Sequence, residues 1–240
     1  MNAARRVGGR SRKELSSSAL LAELRKRADP KRLEGMARFA IGGKNTLGVS
    51  MPEIRAVARK AKRNHTIAKE LWGSGVHEAR ILASLLAEPS SMKPAEMDKW
   101  VKDFDSWDVC DQTCMNLFCL TPHAFAKAMD WCARKGEFER RAGFALMACL
   151  AVHAINEPDE SFLPFFDAIK SEATDDRNFV KKAVNWALRQ IGKRNKNLNK
   201  AAVRSAREIA KLDSRSARWI ASDALRELTG DAVQQKIRGK

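Results

Sequence analysis

The chain has 240 residues, 44% of them apolar, and a formal charge of +16. That composition suffices for one sizeable core or a run of stacked units, and a field of that sign attracts polyanions: nucleic acid, an anionic membrane or an acidic protein. No apolar run approaches the roughly 20 residues of a membrane-spanning helix, and no short apolar segment follows the basic N-terminus as in a secretory signal. The expectation is a soluble, intracellular protein of the cytoplasm or nucleoid, or of the nucleus or an organelle in a eukaryote.

Residues 1–16 carry five basic side chains against one acid and read as a disordered basic arm, a composition that would also suit an organellar transit peptide. From 17 to 230 the apolar residues recur with helical period, and no alternating strand pattern is present. Breaks fall at Asp29-Pro30, Gly42-Gly43, Met51-Pro52, Gly73 to Gly75, Pro89 to Pro94, Thr121-Pro122, Gly136, Pro158, Thr174 to Asp176, Asn195 to Asn197 and Leu212 to Ser214. The segments between them pair into units of roughly 35 to 40 residues, which predicts an all-α protein, an α-solenoid of two-helix repeats. Residues 231–240 read as a second basic tail. Setting both tails aside leaves the body strongly basic, so the charge belongs to the folded surface.

Three helical segments set cations opposite an apolar stripe. After Pro52, Ile54, Val57, Ala58 and Ala61 oppose Arg55, Arg59 and Lys62. Over about 177–194, Val180, Ala183, Val184, Ala187, Leu188 and Ile191 oppose Lys182, Trp186, Arg189 and Lys193. Over about 198–211, Ala202, Ala206, Ile209 and Ala210 oppose Lys200, Arg204, Arg207 and Lys211. Ordinary solvated faces mix acids with bases. Rows of cations one helical turn apart can instead follow a phosphate backbone, and a nucleic acid is the expected partner.

In DSWDVCDQTC, the residues Val109, Cys110, Thr113, Leu117 and Leu120 form a packing stripe, with Trp107 at its edge and Asp111 facing away one turn later. Taken alone, this pair is either a marginal core tryptophan beside an exposed or ion-paired carboxylate, or part of a site. The five cysteines, 110, 114, 119, 132 and 149, lie in apolar patterns and read as free buried thiols. Cys110 and Cys114 find no second ligand pair, so no metal is expected. No Gly-rich phosphate loop occurs, and no cofactor is expected.

Four motifs in order, G-V-x-x-P-x-I-R (48–55), S-W-D-x-x-D (106–111), R-R-A (140–142) and F-V-x-K-A-x-x-W-x-L-R (179–189), resemble the DNA alkylation repair family of HEAT-like-repeat DNA glycosylases. The resemblance runs from about Leu33 to Gly230. It implies a HEAT-like solenoid whose basic concave face cradles duplex DNA and excises cationic N3- or N7-alkylated purines. It places the catalytic carboxylate on Asp111, the lesion-flanking tryptophans on Trp107 and Trp186, and the phosphate-contacting arginine on Arg141. Two departures bear on lesion preference. The family's phenol near the first repeat falls on Phe39 in a chain without tyrosine, and the basic N-terminal arm is an addition.

The chemistry suits so sparse a site. Breaking an N-glycosidic bond builds positive charge on the sugar, which a fixed anion stabilises, and tryptophan faces add cation–π attraction. A neutral base would need an acid to protonate it. His65, His77, His123 and His153 read as structural, whereas an alkylated purine is already cationic and leaves neutral. Lys182 could serve as the amine of a lyase, although a phosphate contact is the plainer role. The expectation is a monofunctional glycosylase, monomeric and without an obligate protein partner. Two alternatives stay open: a non-catalytic binder of bent or branched DNA, and a HEAT-type protein-interaction scaffold.

Overall fold

The computed structural model describes residues 15–42 and 45–238, and among these are fourteen α-helices and no strand. Most of the expected arm therefore lies outside the described residues. The helices are α1 (Ser17–Arg25), α2 (Pro30–Arg38), α3 (Met51–Lys60), α4 (His65–Gly73), α5 (His77–Leu86), α6 (Pro94–Lys102) and α7 (Trp107–Asn116). They continue as α8 (Ala124–Cys132), α9 (Glu137–His153), α10 (Leu163–Ser171), α11 (Asn178–Gly192), α12 (Lys196–Ile209), α13 (Arg215–Leu228) and α14 (Asp231–Arg238).

Local chemistry sets most of these starts. The side chains of Ser16, Asn64, Asn195 and Ser214 accept backbone N–H groups in the first turns of α1, α4, α12 and α13. Proline occupies the first turn of α2, α3, α6 and α10, where no N–H is needed. Two breaks went unforeseen, at 61–64 and 103–106, because neither contains Gly or Pro. Residues 231–238, expected as a tail, form α14, which buries Val233 and Ile237.

The helices stack in two layers. α3, α5, α7, α9, α11 and α13 pack side by side in sequence, and α4, α6, α8, α10 and α12 form the second layer. Polar side chains join several helices to the next of their own layer. His65–Glu96, Trp72–Asp103 and His77–Asp108 each span 31 residues, and Lys170–Glu208, Asn185–Asp223 and Arg189–Glu227 each span 38. The repeat is thus written in polar side chains as well as in apolar ones.

Between the layers runs an aromatic core. The rings of Trp72 and Trp100 stack at 3.9 Å, and Phe104, Phe118 and Trp131 extend the cluster. Burial of each such ring stabilises by up to about 3 kcal/mol. α8 and α9 touch backbone to backbone at Gly143, where an added Cβ would lie 2.3 Å from the Cys132 nitrogen. α9 is the longest helix, and residues 141 to 151 are buried all round it.

The 48–55 motif has a structural job. Gly48 sits at φ +79, and a Cβ there would lie 2.3 Å from the Asp29 carbonyl oxygen. The buried Glu78 carboxylate accepts the N–H groups of Leu47, Gly48 and Val49, which anchors the link from α2 to α3.

Candidate active site and nucleic-acid interface

Asp111 lies on α7, Arg141 on α9 and Lys182 on α11, three consecutive helices of the first layer. Arg141 donates from Nε to Asp111 Oδ1 at 2.9 Å and from Nη2 to Oδ2 at 2.7 Å, a two-pronged fork. Its Nη1 donates to the Phe179 carbonyl at 2.6 Å, tying the pair to the start of α11. Both side chains are largely buried, 14% exposed for Asp111 and 7% for Arg141. Burial pushes the Asp111 carboxyl above its ordinary value, opposed by the charge and hydrogen bonds of Arg141. Burial also works against the Arg141 charge, but Asp111 outweighs it and raises the guanidinium overall. The result is a charged fork locked in a poorly solvated setting.

Trp107 begins α7, half-buried, with the Arg141 guanidinium carbon 5.8 Å from its ring centre. Its indole N–H donates to the Phe39 carbonyl at 2.9 Å. Phe39 is 71% exposed, and Ala40 beside it takes a left-handed φ of +53. This short strap from the end of α2 borders a cavity of about 350 Å³. Phe39, Trp107, Arg141, Phe179 and Lys182 are among its lining residues. Lys182 is exposed, with no ion-pair partner among the described residues.

Several expectations need correction. Asp111 does not face away from the packing but points at α9, because α7 and α9 are neighbours in one layer. Leu120 is 49% exposed and leaves the packing stripe, because α7 stops at Asn116. Trp186 does not stand opposite the core: it is half-buried and packs against the core's edge, and it does not line the cavity.

The cations divide into three sets. Arg189 pairs with Glu227 at 2.5 Å and Lys193 with the same carboxylate at 2.6 Å, so both are neutralised by α13. Lys200, Arg204, Arg207 and Lys211 belong to or follow α12, in the layer remote from Asp111, and Glu208 sits among them. They therefore stand on a different layer from Asp111, Arg141 and Lys182. Arg55 and Arg59 are exposed on α3, in the same layer as Asp111, and Lys62 follows just after that helix.

Two acids that neutralise the α11 stripe, Asp223 and Glu227, were missed. They stand 38 residues after Asn185 and Arg189, so the repeat period was the signal that could have found them. His77 was also set aside, yet its Nε2 meets the Asp108 carboxylate at 2.8 Å, next to Trp107 in sequence. Burial alone would lower the His77 pKa, but the Asp108 hydrogen bond and charge raise it above 6.5. Burial opposes the Asp108 charge, and His77 overcomes this to hold the carboxyl below 3.8.

The five cysteines are free and buried, and burial pushes the Cys114 and Cys149 thiols well up. Among the described residues no cluster of His, Cys, Asp or Glu suits a metal ion, and no helix is long and apolar enough to cross a membrane.

Fold and site together define a two-layer helical-repeat protein with a carboxylate–arginine fork and a tryptophan at a cavity on one layer. The family model for the DNA alkylation repair enzyme matches residues 20–228, and the chain belongs to that family. Among solved structures it is similar to one described as "a new family of proteins related to the HEAT-like repeat DNA glycosylases with affinity for branched DNA structures". That structure has a TM-score of 0.74 and 20% identity, covering 89% of this chain and 96% of that one. Comparison with curated protein sequences finds no match.

Proposed function

We propose that this protein is a DNA glycosylase that hydrolyses the N-glycosidic bond of cationic N3- or N7-alkylated purines in duplex DNA. The observation that carries this reading is the convergence of Trp107, Arg141 and Lys182, from three helices, on one cavity with Asp111 held directly behind it. A DNA phosphate entering the cavity competes with Asp111 for the Arg141 fork, and Lys182 supplies a second phosphate contact. The carboxylate lone pairs so released face the deoxyribose. As the C1′–N bond breaks, its electron pair leaves with the base and cancels the base's positive charge. Water adds to C1′, and its proton passes to Asp111 and on to solvent. One carboxylate at about 4 Å offers up to roughly 4 kcal/mol to the developing cation at an effective dielectric near 20, about three orders of magnitude in rate. Retained attraction to Arg141 subtracts from that figure. Trp107 lends its ring face to the cationic base. Trp186, one turn beyond Lys182, would approach from α11 only if its half-buried ring turned outward.

A second reading has its own support. A non-catalytic binder has no use for a naked anion facing DNA, but Asp111 is neutralised by Arg141 and is not naked. With the fork intact, the same layer would hold branched DNA, the ligand described for the similar structure, and release no base. The deciding experiment incubates the protein with duplex DNA containing one N7-methylguanine and detects free base by mass. Release that disappears in Asp111→Asn establishes the glycosylase. Tight binding of a DNA junction with no release at any protein excess establishes the binder.

A further inference from the structure

Of the six tryptophans, Trp72, Trp100 and Trp131 are core, while Trp107 and Trp186 are half-buried. Trp219 is 42% exposed, and nothing in the packing asks for it. The apolar stripe of α13 is complete without it, in Ala217, Ile220, Ala221, Ala224 and Leu228. At 100° per residue Trp219 points roughly 160° from the middle of that stripe, as Lys182 points away from the stripe of α11. α11 and α13 are neighbours in the first layer, and on each of them the side chain points away from the buried stripe.

The surroundings of the ring are cationic. Lys181 reaches across from α11 to within 5.8 Å of the ring centre, and Arg215, one turn before it, is exposed. The Asp223 carboxylate on the same helix is occupied by Asn185 and Arg226. An indole face with one cation over it and another a turn away suits a flat π system attached to a polyanion.

We propose that Trp219, with Lys181 and Arg215 on the flanking phosphates, is a stacking platform for an unpaired nucleobase of the bound DNA, one repeat beyond Lys182. Paired bases within a duplex cannot reach a flat indole, whereas a base at a branch, bulge or frayed end can. The platform rests on the DNA-binding reading above and adds a preference for locally unpaired DNA.

The test uses the full chain and two duplexes, one fully paired and one with a single unpaired 2-aminopurine, whose fluorescence falls when it stacks on an indole. Wild type should bind the second more tightly and quench the probe. Trp219→Ala should lose about tenfold in affinity for the unpaired probe, the lower range of base–aromatic stacking, with quenching abolished and the fully paired duplex affected less than about twofold. Trp219→Phe should restore most of the affinity. An equal loss on both duplexes, or quenching that persists in Trp219→Ala, overturns the platform while leaving the DNA-binding reading in place. Wild type that binds neither duplex overturns that reading, and the platform with it. Melting of Trp219→Ala at the wild-type temperature confirms that the weaker binding reflects the missing ring and not an altered fold.

Discussion

Arg141 and Asp111, thirty residues apart in sequence, close on one another with two hydrogen bonds of 2.9 and 2.7 Å across the seam between α7 and α9. Removing one member strands the other in a poorly solvated place. Arg141→Met should therefore destabilise by about 3 to 5 kcal/mol, and Asp111→Leu combined with Arg141→Met by much less. Urea melts of the two single variants and the double variant close the cycle. Additive losses would show that the fork contributes no coupling.

Asp111→Asn keeps the shape and removes the charge. It should abolish base release while raising affinity for undamaged duplex, because the Arg141 charge is then no longer offset beside the phosphates. Release undiminished in this variant would exclude Asp111 as the anion at the sugar.

The free and the paired cations should behave differently. Lys182→Gln and the double change Arg55→Gln with Arg59→Gln should weaken duplex binding and reduce the salt slope by about 0.9 for each phosphate that is no longer neutralised. Charge reversal of Arg204 and Arg207, on the far layer, should leave that slope nearly unchanged. Glu227→Gln frees Arg189 and Lys193 from their shared carboxylate and should tighten binding. Titrations at several salt concentrations distinguish these outcomes, and a flat response to Lys182→Gln would remove the cavity from the interface.

The His77–Asp108 pair predicts a pH window. The raised His77 pKa contributes stability that is complete below 6.5 and is lost as pH climbs through the folded value. The depressed Asp108 pKa contributes stability present above 3.8 and lost as pH falls through its folded value. The pair therefore stabilises most between those limits. His77→Gln should flatten the decline of the urea midpoint on the alkaline side of pH 6.5, and an unchanged profile would count against the pairing.

Trp186→Ala should cost roughly 1 to 3 kcal/mol, less than a fully buried ring, since the ring is only partly covered where it packs on the core edge. A thermal melt unchanged from wild type would place the ring back in solvent.

The all-helical class, most boundaries and the two-helix repeat were legible because proline, glycine and cap residues punctuate a 3.6-residue apolar period, whereas the breaks at 61–64 and 103–106 carry neither proline nor glycine. Of the motif residues, Trp107, Arg141 and Lys182 line one cavity and Trp186 does not. Their partners were not legible. A helical wheel drawn from one segment assigns Arg189 and Lys193 to solvent, yet Glu227 reaches them from a helix 38 and 34 residues away. The same wheel treats the stripes of α3 and α12 alike, and only the order of packing puts them in different layers. The 31- and 38-residue spacing of polar pairs was present in the sequence but is visible only once the repeat is known.

The all-round burial of α9 ties function to global unfolding. Helices buried on one side open locally and exchange their amide hydrogens early, whereas a helix with no solvent side opens with the whole molecule. Arg141 sits in the buried stretch of α9, residues 141–151, pinned to α8 at Gly143, and should be among the last segments to open. Rearrangement of the fork must then come from the side chain alone. Heat should extinguish function and fold at one temperature, with no window in which the protein is folded yet has lost its site.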